Sequence, residues 1–187
     1  MTAIAARERN CYEPQPLFRI AVLILAAACQ SHGASEPPPA PPAISVSGTT
    51  TRVVPGHPCR ASVEGVDLEV GGPPLLAQVG ADRWTGEDST NGVTFKRNGV
   101  AIARLYANQL FDADGVPLVR VLQNGDIADR AGRIVRHAQP VTDAVRIGSV
   151  TITNTTNPAV AALLAAPEAE ATVRGLAVCY LLLQATP

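Results

Sequence analysis

The chain has 187 residues, with 15 Lys+Arg against 16 Asp+Glu and a formal charge of -1. No basic excess exists to neutralise phosphates, which excludes a nucleic-acid partner, and the 47% apolar content excludes a chain disordered throughout. No apolar run reaches the roughly 20 residues of a spanning helix, which excludes a polytopic membrane protein.

Arg7, Arg9 and Arg19 precede the apolar stretch from Ile20 to Ala28. That order, basic residues and then a short apolar run, is the pattern of an export signal, so residues 1–28 read as a signal peptide. Small residues lead into Cys29. Leu25-Ala26-Ala27-Ala28-Cys29 resembles the lipobox of bacterial lipoproteins. The resemblance implies a diacylglycerol on the Cys29 sulfur and cleavage just before it. The membrane is then the partner, reached through lipid, and each buried acyl CH2 contributes about 0.8 kcal/mol. In Gram-negative lipoproteins an Asp after the lipidated Cys marks inner-membrane retention, so Gln30 implies the outer membrane in such a host. The alternative is cleavage by the ordinary peptidase after an A-x-A pattern, with Cys29 unmodified.

Residues 29–43 read as a tether. Gln30 to Ala43 holds five prolines in fourteen residues. Proline removes backbone donors and favours extended polyproline II, so this stretch is a semi-rigid spacer. His32 inside it is a solvated side chain rather than a ligand.

Residues 44–187 are long enough for one domain with one core. Cys59 to Val70 alternates as a strand or hairpin, and Gly71-Gly72-Pro73-Pro74 ends it. The middle is punctuated by Asn91-Gly92, Asn98-Gly99, Asp114-Gly115 and Asn124-Gly125, pairs that accept the positive φ of tight hairpin turns. Branched segments run between them, such as Val100–Tyr106, Val116–Leu122 and Arg133–Arg136. Phe95–Arg104 aligns with Phe111–Arg120 at an offset of 16 residues, and Ala128–Arg136 is a third copy. Gly99, Gly115 and Gly132 are the turn-forming residue of each copy. The period suits a β-hairpin, read as a meander rather than a solenoid. Apolar residues on both parities predict a sheet that is curled or covered on more than one side. Ala144–Thr153 is a further strand pair.

Near the C-terminus, Asn157-Pro158 gives an N-cap and a proline at the first helical position, before an Ala/Leu run that stops at Pro167. Residues 171–184 fit a second helix or a buried strand, with helix favoured. The predicted fold is therefore α+β and β-rich: an antiparallel meander or curled sheet of short hairpins with a C-terminal helical segment packed on it.

Little in the body points to chemistry. Cys59 and Cys179 form an even pair, and outside the inner membrane such a pair invites a disulfide. The spacing suggests no metal site and no cofactor. His57 lies in the turn Pro55-Gly56-His57-Pro58, and His137 follows the third repeat; neither has a catalytic motif beside it. Asp112-Ala113-Asp114-Gly115 lacks the later oxygens of a calcium loop and reads as a turn. Trp84 precedes the polar loop Glu87–Gly92 and is read as core, with stacking on a sugar or peptide as the alternative. No catalytic residue is assigned. The reading is a lipid-anchored cell-envelope protein with a non-catalytic binding or structural domain and an unidentified protein or glycan partner. The alternative is a hydrolase using a carboxylate pair or His137.

Overall fold

The computed structural model describes residues 39–90 and 92–185. Fourteen strands follow one another in chain order: β1 (Ile44–Val46), β2 (Arg52–Val54), β3 (Cys59–Val63), β4 (Val66–Gly71), β5 (Leu75–Val79), β6 (Asp82–Ser89), β7 (Gly92–Arg97), β8 (Val100–Tyr106), β9 (Gln109–Asp112), β10 (Pro117–Val121), β11 (Asp126–Ala128), β12 (Ile134–Val141), β13 (Ala144–Ile147) and β14 (Val150–Thr153). Each pairs antiparallel with the next. β1 also pairs with β14, Ser45 opposite Thr153, so the meander closes into a barrel. The curled sheet of the sequence reading is thus curled until its edges meet, and closure removes the exposed strand edges that invite aggregation.

The repeat extends further than three copies. The strands alternate in direction, so every odd-to-even turn lies at one end of the barrel. All seven of these turns hold a glycine at positive φ: Gly48, Gly65, Gly80, Gly99, Gly115, Gly132 and Gly148. Successive glycines are 15 to 19 residues apart. The barrel is seven hairpins in series.

The turn chemistry differs among them. Asn98 (φ 51°) and Gly99 (φ 84°) are both left-handed, as a two-residue type I′ turn requires, and Arg97 pairs with Val100 across them. At Gly115 the glycine N–H donates to Asp112 O (3.2 Å), and Asp112 N–H donates to Val116 O (2.9 Å). Gly132 repeats this wiring with Asp129 and Arg133. These are three-residue loops with a single left-handed glycine. A Cβ built on Gly99 or Gly115 meets nothing within 4 Å, so backbone conformation and not crowding selects glycine there.

One face of each strand is buried: Cys59, Ala61 and Val63 on β3, Val93 and Phe95 on β7, Ala103 and Leu105 on β8. A ring of fourteen strands is too wide for wall side chains to fill, since about eight strands already leave just enough room for them. Two helices fill the rest. α1 (Pro158–Leu164) is capped by Asn157, whose Oδ1 accepts from Ala159 N–H (2.9 Å) and Val160 N–H (3.4 Å). Such a cap is worth about 1 kcal/mol. α2 (Ala171–Ala185) buries eight consecutive residues, Thr172 to Cys179. A helix lying on a sheet would bury one stripe. Burial on every side, with contacts to the inward residues Cys59 and Leu68, places α2 within the ring. The C-terminal helical segment therefore packs on the sheet as expected, against its buried inner face. This packing also gives Gly175 its reason, because a Cβ there would lie 2.9 Å from Leu68 Cδ2.

Candidate functional site

The leader, Cys29 and the lipobox-like residues around it, and the tether as far as residue 38, His32 included, lie outside the described residues. The described chain enters β1 through Ala43, whose carbonyl accepts from Asn154 Nδ2 (2.6 Å) just after β14. Entry is therefore at the barrel end opposite the seven glycine turns. Among the described residues no helix is long and apolar enough to cross a membrane.

Cys59 and Cys179 meet. Their sulfurs are bonded at 1.99 Å across 120 residues of sequence, and both cysteines are fully buried. The bond joins the start of β3 to the middle of α2, fixing the helix to the wall near the entry end. At the other end, ionic contacts hold the segment between the helices. Arg136 on β12 donates to Ala165 O (2.9 Å) and to Glu168 Oε1 (2.8 Å). Arg97 on β7 lies 3.8 Å from Glu170 and places its guanidinium 5.5 Å from the Trp84 ring centre. Arg174 on α2 is 3% exposed; it donates to Leu164 O (3.2 Å) and contacts Glu64 Oε2 (2.5 Å), while its Nε has no hydrogen-bond partner among the described residues. Glu64 sits in the β3–β4 turn with φ 52°.

Trp84 is 1% exposed and points inward, so the core reading holds and it offers no platform to a sugar. Asp112 is a turn residue: its Oδ1 accepts from Asp114 N–H (3.0 Å) and Val116 N–H (2.8 Å), which leaves its carboxylate committed to the loop. Asp129 does the same for Ala131 and Arg133. The Arg133 guanidinium also holds the Asp129 carboxyl below its ordinary range. Gly92 differs from the sequence reading. It is the first residue of β7, opposite Ser89, and a Cβ there would come within 1.9 Å of Leu105 O, so close approach of backbones selects it. Asn91 lies outside the described residues.

His137 has a partner that spacing did not reveal. β11 and β12 place Asp126 opposite it, and His137 Nδ1 lies 2.8 Å from Asp126 Oδ1. Asn124 Nδ2 donates to the other carboxylate oxygen (2.6 Å). The hydrogen bonds from His137 and then Asn124 lower the Asp126 pKa. A carboxylate on Nδ1 fixes the orientation of the imidazole, a contact that nucleophile–base–acid arrays also use. Antiparallel pairing across a bulge supplies it, and no local motif could have.

The outer wall carries a depression of about 490 Å³ over β2–β4, lined by Arg52, Val54, Arg60, Ser62, Asp67 and Glu69. A second, about 310 Å³, adjoins it over β4–β6 and shares Glu69. The outward residues here mix the charged Arg52, Arg60, Asp67, Glu69 and Arg83 with the apolar Val54 and Leu76. Among the described residues, no group of three or more His, Cys, Asp or Glu could hold a metal ion. No protein-family model matches the chain, and neither a curated protein nor a solved structure matches it.

Proposed function

We propose that the protein is a lipid-anchored component of the bacterial cell envelope, held by Cys29 at the outer membrane in a Gram-negative host, with a folded domain that binds or builds and does not catalyse. The observation that carries the second half is the occupied lumen. A barrel that takes a small molecule inside keeps its interior free. Here α1 and α2 occupy that space, mostly with Ala, Val and Leu side chains and with the buried Arg174. The buried Cys59–Cys179 bond supports the first half, because such bonds form and persist in oxidising compartments outside the cytosol. The test follows the acyl group. Labelled palmitate enters the wild-type protein, and Cys29→Ala abolishes labelling and moves the protein to the soluble fraction; label retained by the variant defeats the anchor.

One observation favours the hydrolase reading, the Asp126–His137 pair. Its test is hydrolysis of ester, glycoside and peptide substrates by the wild type. Turnover lost in His137→Ala would replace the non-catalytic reading.

A further inference from the structure

We infer that the outer wall of β2–β6 binds an extended acidic polysaccharide, of the uronic-acid kind, laid across the strands. Four outward side chains form one transverse row. Arg60 stands opposite Glu69, the pairing of Val70 with Ala77 sets Glu69 beside Gln78, and Gln78 stands opposite Arg83. Arg52 lies one row away, opposite Ser62, with Asp67 next along. The two depressions of about 490 and about 310 Å³ follow this wall and meet at Glu69.

The chemistry of the row selects the ligand. Arg60 Nε donates to Glu69 Oε2 (2.8 Å), so that pair is mutually committed. Among the described residues, Arg52 and Arg83 have no carboxylate within ion-pair distance. Each keeps a planar donor fork free, and that fork matches a carboxylate bidentately. Four inter-strand spacings of about 4.8 Å separate β2 from β6, so the two forks stand roughly 19 Å apart along the strand-to-strand direction. A ligand that uses both must be elongated and carry repeated anions. Leu76, 40% exposed, and the half-buried Val54 give the path apolar patches for the ring faces of a sugar chain. A peptide gains most by adding a strand at a sheet edge, and a closed ring offers none.

This inference rests on the non-catalytic binding reading and specifies its ligand; it does not depend on the lipid. The test is calorimetric titration of the whole protein, in detergent, with oligogalacturonate. Saturable binding is expected, weakened about tenfold or more by combining Arg52→Glu with Arg83→Glu. It also weakens when salt rises from about 50 to about 300 mM, and a neutral maltooligosaccharide gives no heat. Both arginines lie on the exposed wall, and an unchanged thermal midpoint confirms that the double variant folds. Absence of saturable binding, an unaltered affinity in the double variant, or equal binding of poly-glutamate overturns the inference. The mass of the same preparation reports acylation separately. Binding without lipid counts against the anchor, and lipid without binding counts against the wall.

Discussion

Gly175 of α2 lies directly against Leu68 of β4, close enough that a Cβ on the glycine would sit 2.9 Å from Leu68 Cδ2 and 3.1 Å from Cδ1. Glycine inside a helix costs about 1 kcal/mol relative to alanine, so its presence here is set by this contact. Leu68 is 5% exposed and packed in the core, so it has little room to withdraw. Gly175→Val should destabilise the protein by about 2–3 kcal/mol through overpacking. Leu68→Ala in the same chain should return part of that loss, giving a favourable coupling in a double-mutant cycle followed by urea unfolding. Additive effects would mean that the two residues do not share the space.

The Cys59–Cys179 bond closes a loop across 120 residues, and its main effect is on the unfolded chain. Chain entropy for a loop of this size is about 4–5 kcal/mol. Replacing both cysteines with alanine should lower the unfolding free energy by roughly that amount. Dithiothreitol added during denaturant titration should reproduce the loss in the wild type and leave the double variant unmoved. A midpoint insensitive to reductant would show that the packing of α2 suffices without the bond.

Arg174 is buried while its partner Glu64 has a side chain 58% exposed to solvent. The two ends of this pair should therefore respond unequally. Glu64→Ala leaves a buried guanidinium with the Leu164 carbonyl and little else, and about 1–3 kcal/mol of destabilisation is expected after allowing for the exposure of Glu64. Arg174→Met removes the buried charge altogether and fills a similar volume, so it should cost less than Glu64→Ala or stabilise. Thermal midpoints of the two variants, measured side by side, give the order; the reverse order would mean that Arg174 contributes through its charge.

The hairpins were legible in the residues because a left-handed turn position admits few side chains. Asn98-Gly99 and Asp114-Gly115 announce themselves, and they gave the repeat its period. The remaining four copies were hidden because their turns differ: Ser47-Gly48, Glu64-Gly65, Gly80-Ala81 and Gly148-Ser149 satisfy the same backbone need without an Asn-Gly or Asp-Gly pair. Closure was not legible, since the pairing of Ser45 with Thr153 joins residues 108 apart and depends on the accumulated curl of twelve intervening strands. That the helices lie inside the ring followed from closure, so it was hidden too. The even cysteine count and the oxidising compartment implied by the leader pointed to the disulfide. The Asp126–His137 pair could not be seen, because the register that creates it includes a shift between Ile127 and Ala128.

Acid stability should depend on Asp126 and Asp129. Both carboxyls titrate below the ordinary value of 3.8 in the folded protein, Asp126 through His137 and Asn124, Asp129 through Arg133. A carboxyl with a depressed folded pKa binds fewer protons when folded than when unfolded. Its stabilising contribution is present above the unfolded pKa and is lost as pH falls through the folded one. The affected window therefore lies below about pH 4. Tyr180 works in the opposite direction at the other extreme: burial and then the nearby Asp88 raise its pKa above 10.0. Its contribution is complete below that value and disappears as pH rises through the folded pKa. The Asp126→Asn, Asp129→Asn variant should lose less stability than the wild type between about pH 4 and pH 2, while Tyr180→Phe should flatten the alkaline limb alone. Urea midpoints across pH measure both. An acid limb as steep in the double Asn variant as in the wild type would assign the loss to other carboxylates.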